Sequence, residues 1–384
     1  MHRIDAPGAT ATNEFTDGDP VNAIPATTLW SKWLNTLQRE LANLVEGLGL
    51  TLDQADDTQV LTSIFKARRN RNLIINGNFD FWQRATSAAS SVVGAWLYLT
   101  ADRWATRLSA ASGTVSSAQQ VFTTGQTSVP GDPAYYLRTT LTAGNTITAY
   151  ELRQAIEDVR TAAGKTVTVS FYMRADAAQN VTARLSQEFG AGGSAAVSTA
   201  LGTLALTANW QSFSLKATLP DLVGKTIGVG DFMALVFDLP KTVASYVDIS
   251  RVKVEESTVA TEFSRAGDDI QGELAMCQRY FEKSYESSVV PGTATNNGAL
   301  GFHASALGQT QELSAQFSVT KRSIPTITLY SSSGVSGSVT NQDGADPTAT
   351  PGNISEHSFM SITLSSVPVA GHRHEAQYTA DSEL

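Results

Sequence analysis

The chain has 384 residues, of which 42% are hydrophobic and 16% are charged, and its formal net charge is −9. This length allows two or three domains with a sizeable hydrophobic core, whereas the acidic balance argues against nucleic-acid binding, which needs clustered Lys and Arg. The single cysteine, Cys277, excludes an intrachain disulfide framework, and no stretch reaches the roughly 18 apolar residues of a membrane span, so no membrane insertion is expected.

Residues 1–25 are predicted to form an extended attachment arm. The segment lacks hydrophobic periodicity and contains Pro7, Gly8, Gly18, Pro20 and Pro25, which is typical of a chain that becomes ordered only against a partner. Its N-terminus also lacks the apolar core of a secretion signal. We therefore expect the protein to be made and folded in a cytoplasm.

Residues 26–71 are predicted to be a helical region that drives oligomerisation. A first helix is expected from Ala26, with Thr27 or Thr28 as its N-cap. A second, short helix is expected after Asp56 or Asp57. The first helix carries a continuous apolar stripe at helical spacing, formed by Leu29, Trp33, Leu37, Leu41, Leu44 and Leu48.

About forty residues in two helices cannot bury so many large side chains by themselves. The stripe could pack on the following domain or on copies of itself, and we favour a homotrimer, since a three-stranded bundle suits a broad Leu/Trp seam. The basic run Lys66–Arg71 closes the region and is interpreted as a helix C-terminal cap or a hinge.

Residues 72–265 are predicted to form a β-sandwich of the jelly-roll type. The opening segment 72–104 is interpreted as a strand, an Asn-Gly turn, an aromatic strand, a long loop and a strand beginning near Trp104. Period-two alternation predicts five further strands. They cover residues 165–173, 181–185, 210–217, 233–239 and 246–254.

A junction, 266–285, and a C-terminal β-rich tip domain, 286–384, complete the predicted organisation. The last region is rich in Ser, Gly and Thr, and residues 311–319, 326–330 and 359–364 are predicted strands. Turn-rich loops at one end of a chain often carry recognition. The predicted fold class is therefore mainly β, with short N-terminal helices, a central sandwich and a β tip.

The N-terminal segment resembles the attachment region of bacteriophage tail-fibre proteins. The matching residues are Phe15, Asp17-Gly18-Asp19-Pro20, Pro25-Ala26-Thr27, Trp33-Leu34-Asn35, Leu52-Asp53, Asp56 and Thr58-Gln59-Val60. The resemblance implies attachment to the tail or baseplate through this end. The residues assigned to attachment and oligomerisation are Phe15, Asp17, Pro20, Leu29, Trp33, Leu37, Leu41 and Leu44.

Later segments resemble the carbohydrate-binding-module-like jelly rolls of the same fibres. The similarity lies in Asn72–Trp104, Gly164-Lys165, Ser170-Phe171, Trp210-Gln211 and Val252–Glu255, and a junction pattern follows at Ala260–Phe263 and Cys277–Tyr285. It implies a virion tail protein that is assembled in the host cytoplasm and binds a bacterial surface glycan or another outer-surface receptor.

The sequence indicates no catalytic constellation. It has no G-x-S-x-G elbow, no H-E-x-x-H helix and no β-helix repeat. Carboxylate pairs such as Glu255-Glu256 are adjacent, so on a strand they face opposite sides rather than converging across a glycosidic bond. We expect no enzyme activity. The alternatives are a glycan-degrading tail spike and a non-viral carbohydrate-binding module.

Aromatic residues divide into two predicted groups. Trp82, Trp104 and Trp210 are assigned to the sandwich core, and the alternative is that they form a platform on which sugar rings stack. The residues predicted to bind glycan by stacking, because they lie in or beside loops, are Trp96, Tyr98, Tyr135 and Tyr136.

No cofactor is expected, although a structural calcium or an axial metal is an alternative. The axial site would use His372 and His374, since residues i and i+2 share one face of a strand.

Overall fold

The computed structural model describes residues 3–69, 71–109, 113–142, 147–305 and 308–384, without the side chains of 65–69. The side chains of the basic run, apart from Arg71, therefore lie outside the described residues. The chain divides into two compact units, one of residues 1–70 with 257–259, and one of residues 71–256 with 260–384.

The first unit contains two helices, α1 (Ser31–Gly47) and α2 (Gln59–Arg69). The predicted start at Ala26 is wrong, because Thr27 pairs with the arm instead of capping a helix. The Thr27 N–H donates to the Thr16 carbonyl over 2.9 Å, and the Thr27 hydroxyl donates to the Gly8 carbonyl over 2.9 Å. The arm is thus folded back on itself rather than extended. Trp30 occupies the N-cap position without a side-chain cap bond.

Twelve strands of the second unit build a β-sandwich, as the sequence predicted. They are β1 (Ser87–Ser90), β2 (Trp96–Leu97), β3 (Ala105–Ser109), β4 (Thr114–Val121), β5 (Tyr135–Thr142), β6 (Ala149–Glu157), β7 (Thr166–Ala175), β8 (Gln179–Glu188), β9 (Val197–Leu206), β10 (Gln211–Thr218), β11 (Phe232–Asp238) and β12 (Ser245–Glu255). The first sheet has the strand order β1-β4-β5-β12-β7-β10, and the second sheet has the order β2-β3-β6-β11-β8-β9. All pairings are antiparallel.

The core lies between these two sheets. Alternate residues of each strand point inward, among them Phe171 of β7, Leu235 of β11 and Ile249 of β12, each at most 1% exposed. This alternation is the reason that the other face of each sheet carries a separate set of side chains. Which residues stand on the outer faces is therefore fixed by strand register.

The opening segment before β1 forms turns, so the two strands predicted between residues 72 and 85 are wrong. Side-chain amides take the place of the hydrogen bonds between strands in this segment. The Asn72 Oδ1 accepts from the N–H groups of Ile74 and Val254. Asn76 and Phe79 also have positive φ angles of 57° and 58°, which a strand does not allow. Local bonds of this kind compete with sheet formation. Trp82 nevertheless packs in the core as predicted.

A second β-domain follows α3 (Ile270–Gln278), a helix that the sequence analysis missed. Its strands are β13 (Phe281–Lys283), β14 (Leu300–His303), β15 (Thr310–Gln316), β16 (Thr326–Tyr330), β17 (Thr340–Asn341), β18 (Ala349–Gly352), β19 (Ser358–Leu364) and β20 (Arg373–Asp381). The long strand β20 pairs with β13, β14, β16 and β17, and β15, β19 and β18 form a second layer. The three strands predicted for this region are present.

The last residues of the chain pack on the sandwich. Arg103, fully buried, forms an ion pair with Glu383. The hydroxyl of Tyr98 and the Nη2 of Arg153 each donate to the Leu384 carbonyl over 2.8 Å. We call residues 381–384 and the sandwich side chains that hold them the C-terminal latch. Strand β13, which the sequence analysis placed in a junction, belongs to the sheet of the C-terminal domain.

Candidate functional site

The outer face of the first sheet carries a row of charged side chains across its central strands. Arg138 on β5 stands opposite Asp248 on β12, and Asp248 stands opposite Arg174 on β7. Because antiparallel partners lie about 5 Å apart, the three side chains meet. Each comes from a strand whose neighbouring residues fill the core, so the scaffold holds the row rigidly.

Asp248 is the centre of this row and is held by both arginines. Its Oδ1 accepts from the Arg138 Nε over 2.7 Å, and its Oδ2 accepts from Arg138 Nη2 over 2.9 Å and from Arg174 Nε over 2.8 Å. The Asp248 side chain is fully buried, while those of Arg138 and Arg174 are about one quarter exposed. The hydrogen bond to Asp248 raises the pKa of Arg138. The acid is thus shielded, and the edges of two guanidinium groups face outward.

Aromatic rings flank the row on both sides. The Arg138 guanidinium lies 3.8 Å from the centroid of the Tyr246 ring, and the Arg174 guanidinium lies 5.0 Å from that of Trp210. Trp210 packs edge-on against Tyr136, with 5.2 Å between ring centroids. Tyr172 lies two residues before Arg174 on β7, so it shares the same face, and it is half-buried beside this cluster.

This face is open to solvent along strand β10. Ser212, Ser214 and Lys216 alternate with inward residues and are exposed. Register places Ser212 opposite Tyr172. Ring faces, guanidinium donors and hydroxyls therefore lie side by side on a rigid, partly solvated surface. Such a surface can hold a ligand with apolar C–H faces and many hydroxyl groups.

The four residues predicted to bind glycan are not brought together. Tyr136 belongs to the face just described, but its neighbour Tyr135 points away and lines a cavity of about 440 Å³ with Trp82 and Lys283. Trp96 lies on the second sheet, where the guanidinium groups of Arg107 and Arg153 stand 4.7 and 4.2 Å from its ring centroid.

Tyr98 belongs to the C-terminal latch, because its hydroxyl donates to Leu384. Burial raises the pKa of Tyr98. Trp210 was assigned to the core together with Trp104, and that assignment is wrong for Trp210. Trp104 is buried between the sheets, whereas Trp210 lies half-buried in a separate cluster on the outer face.

The outer face of the second sheet carries its own network of ion pairs. The Glu151 side chain is 4% exposed and pairs with Arg107 on one side and with Arg184 on the other. The Arg184 Nη2 lies 2.7 Å from the Glu151 Oε1. Arg184 also pairs with Asp238. The guanidinium groups and carboxylates of this network neutralise one another, and the rings of Trp96 and Phe232 lie 4.2 and 5.1 Å from the Arg153 guanidinium.

The residues predicted to attach and oligomerise form an exposed apolar surface. Leu29, Leu41 and Leu44 are 59%, 43% and 38% exposed. Trp33 is half-buried and stacks edge-on with Phe15, with ring centroids 5.1 Å apart. Asp17 and Pro20 are exposed, and Leu37 is half-buried. A helix face with so many exposed large apolar groups is typical of a surface that packs against another element or another chain.

The two histidines predicted to form an axial metal site, His372 and His374, line one cavity of about 380 Å³, but each contacts a different partner. His374, on β20, is buried and stacks on Phe302 with ring centroids 5.0 Å apart. Its Nδ1 lies 3.2 Å from the His372 carbonyl. His372 instead pairs with Asp343 at 3.4 Å. Within the described residues, no group of three or more His, Cys, Asp or Glu side chains is placed to hold a metal.

Comparisons with known proteins give limited matches. No family model matches the chain. The "Uncharacterized protein StfP" of Escherichia coli strain K12 is 37% identical over 70 residues, which are 17% of this chain and 34% of that protein. The chain thus spans about a third of the length of the curated relative it matches. In the described part of the chain, no helix is long and apolar enough to cross a membrane.

Several solved structures are similar over about half of the chain. A structure described as "CBM4 structure and function" is 20% identical, with 47% of this chain and 98% of that chain covered and a TM-score of 0.28. The tailspike protein 4 enzymatically active domain of bacteriophage CBA120 is 13% identical, with 48% and 21% covered and a TM-score of 0.30. A family 11 carbohydrate-binding module from Clostridium thermocellum, in complex with a mixed-linked tetrasaccharide, is 10% identical, with 44% and 98% covered and a TM-score of 0.28.

Proposed function

We propose that this protein is a bacteriophage tail fibre that binds a bacterial surface glycan on the outer face of its first sheet. The observation that carries the proposal is the Arg138–Asp248–Arg174 row with Tyr246 at one end and Trp210 at the other. Sugar rings offer apolar C–H faces to aromatic side chains and hydroxyl groups to charged donors. This face presents both side by side.

The buried carboxylate organises the face for binding. Asp248 fixes the two guanidinium groups by charge-assisted hydrogen bonds, so little side-chain entropy remains to be lost when a sugar binds. The remaining N–H groups of Arg138 and Arg174 can then donate to sugar hydroxyls. Recognition by a preorganised face is the property that a host-adhesion protein needs.

The N-terminal unit is proposed to assemble the fibre and to attach it. The exposed stripe of α1 is suited to a homotrimer, since threefold packing covers such a seam. The tail-fibre resemblance of the first sixty residues supports a partner in the tail or baseplate. The location that follows is the virion tail.

Binding without turnover is the proposed activity. Glycoside hydrolysis needs one carboxyl group to donate a proton and a second to act across the bond. Asp248, the carboxylate at the centre of the row, has both oxygens engaged by arginines and is shielded from solvent. It is therefore placed to position side chains rather than to attack a substrate.

The glycan face is tested by binding of fluorescently labelled protein to host cells and to purified lipopolysaccharide or capsule. Trp210→Ala and Tyr246→Ala should each weaken binding about tenfold or more, since aromatic anchors carry a large share of interface energy. Trp96→Ala is the matched control, because that ring also stacks on arginines but belongs to the second sheet. Equal losses in all three variants, or a loss only in the control, would reject this face.

Attachment is tested separately by removing residues 1–66. This change deletes the arm and most of the helical region but none of the strands described above. Truncated protein should bind cells with reduced avidity, yet it should be missing from particles assembled in its presence. Incorporation of the truncated protein at wild-type levels would show that attachment lies elsewhere.

A further inference from the structure

A cavity of about 740 Å³ lies on the C-terminal β-domain and is separate from the outer face of the first sheet. We call it the C-terminal groove. Strand register builds its floor: Thr326 of β16 stands opposite Asp381 of β20, and Thr328 stands opposite Thr379. Phe281 of β13 stands on the other side of Asp381. Three neighbouring strands thus present hydroxyls, a carboxylate and an aromatic ring to one cavity.

Two buried polar atoms beside this floor have no hydrogen-bond partner within the described residues. They are the Nη1 of Arg84 and the Oε1 of Glu383. Both residues line the groove, and their side chains are only 10% and 7% exposed. The Arg84 Nη2 lies 3.2 Å from that Glu383 oxygen, an ion-pair distance without hydrogen-bond geometry. Both atoms are enclosed, so this pair forms part of the wall, and the Asp381 carboxylate and the Thr326 and Thr328 hydroxyls are the polar groups that the groove offers to a ligand.

The charges of the groove select the chemical class of this ligand. The Asp381 side chain is 42% exposed and pairs with Arg84 at 3.0 Å. A phosphorylated or carboxylated ligand would meet the Asp381 and Glu383 carboxylates and be repelled. An uncharged molecule with many hydroxyl groups can donate to the exposed Asp381 carboxylate and exchange hydrogen bonds with the threonine hydroxyls.

The size and the remaining wall of the groove indicate a saccharide. A volume of about 740 Å³ lies in the range of small-molecule sites. Tyr330, at the end of β16, lines the groove with a half-buried ring that also packs against Tyr285, with centroids 6.0 Å apart. Its fixed face can stack on the C–H side of a sugar ring.

We propose that the C-terminal groove is a second binding site and takes an uncharged saccharide. This proposal extends the proposed function to a second site of the same chain, but it does not depend on the Arg138–Asp248–Arg174 row. Each chain then holds two saccharide segments, and a fibre multiplies its avidity through both.

The test uses full-length protein and saturation-transfer NMR with a panel of neutral gluco-, galacto- and manno-tetrasaccharides at millimolar concentration. Thr328→Tyr, which fills the groove, should abolish the signal of at least one tetrasaccharide in the Trp210→Ala background. Thr350→Tyr, at the exposed position of strand β18 in the other layer, is the matched control and should leave that signal unchanged. Thr326→Val keeps the side-chain volume, removes one hydroxyl, and should weaken binding about threefold to tenfold.

The outcomes separate the two sites. A tetrasaccharide signal that survives Trp210→Ala and is lost with Thr328→Tyr supports the groove, even if the sheet face proves inactive. If Thr328→Tyr fails to fold, the affinity of Thr326→Val for the same tetrasaccharide tests the groove, and a threefold to tenfold loss supports it. Absence of any signal in the Trp210→Ala protein, a signal that Thr328→Tyr and Thr326→Val leave intact, or equal loss in Thr350→Tyr would overturn the proposal.

Discussion

Removing the negative charge of Glu383 should weaken the whole second unit, because this residue neutralises a buried arginine of the sandwich. Arg103 is 0% exposed, its Nη2 donates to the Ala155 carbonyl over 2.6 Å, and its guanidinium lies 3.3 Å from the Tyr280 ring centroid. Burial acts to lower the pKa of Arg103, but Glu383 overcomes this and raises it. Arg103 nevertheless stays charged in Glu383→Gln, because a guanidinium group is not deprotonated in proteins.

A buried charge that loses its partner costs about 3–5 kcal/mol. We expect Glu383→Gln to lower the free energy of unfolding by that amount. Urea denaturation followed by tryptophan fluorescence measures it, and the loss should appear in one transition, since sandwich and C-terminal domain form one compact unit.

Two further variants separate charge from packing. Arg103→Met combined with Glu383→Leu removes both charges and should recover most of the lost stability, since hydrophobic replacement of a buried pair is often neutral. Arg160→Met removes an exposed pair with Asp158 and should cost less than about 1 kcal/mol. A Glu383→Gln protein as stable as the wild type would refute the account of the latch. Two separate transitions, with only the C-terminal domain affected, would also refute it.

Three other predictions follow from the structure. Mass measurement in solution should give a trimer, and Leu37→Asp with Leu41→Asp should dissociate it, whereas Gln38→Asp should not; a monomeric wild type would contradict this. Burial raises the pKa of Asp102 from its usual 3.8 to about 6, so the folded state holds this proton more tightly, and the stability from Asp102 falls as pH rises from about 4 to 6. Relative to Asp102→Asn, the wild type should lose about 3 kcal/mol of unfolding free energy as pH rises from about 4 to 6. A difference between the two proteins that does not change with pH would exclude the effect. Purified protein should produce no new reducing ends from host lipopolysaccharide or capsule, and cleavage lost on mutating one carboxylate would favour an enzyme.

Much of the sandwich was predictable because it depends on local alternation. In β7, Phe171 and Met173 face the core while Tyr172 and Arg174 face outward, and this order is visible in the sequence. The opening segment was mispredicted for a different reason. Its apolar residues are buried as in a strand, but side-chain amides and positive φ angles hold them in turns.

The candidate site was only partly predictable. Tyr136 was proposed from its aromatic character and lies beside the row, where it is 7% exposed. The pairing of Arg138 with Asp248 joins residues 110 positions apart and depends on strand order. Trp210 was misassigned because its position just before β10 gives no indication of which side of the sheet it occupies. The helix α3 did carry a local signal, since Asp269 accepts from the Gly272 N–H as an N-cap.

The contacts of the C-terminal latch had no sequence signal at all. Arg103 and Glu383 lie 280 positions apart and belong to segments that the sequence analysis assigned to different domains. A charged residue near the end of a chain is usually solvated. The close packing of the two β-domains is therefore a finding of the structure, and it joins the two proposed saccharide sites in one compact unit.

The central claim is tested most directly by a crystal structure of the protein with a fragment of its receptor glycan. We predict a sugar ring stacked on Trp210 or Tyr246, with its hydroxyls within hydrogen-bond distance of Arg138 and Arg174. A glycan bound instead on the second sheet, over Trp96, or an outer face of the first sheet left empty at saturating glycan, would contradict it.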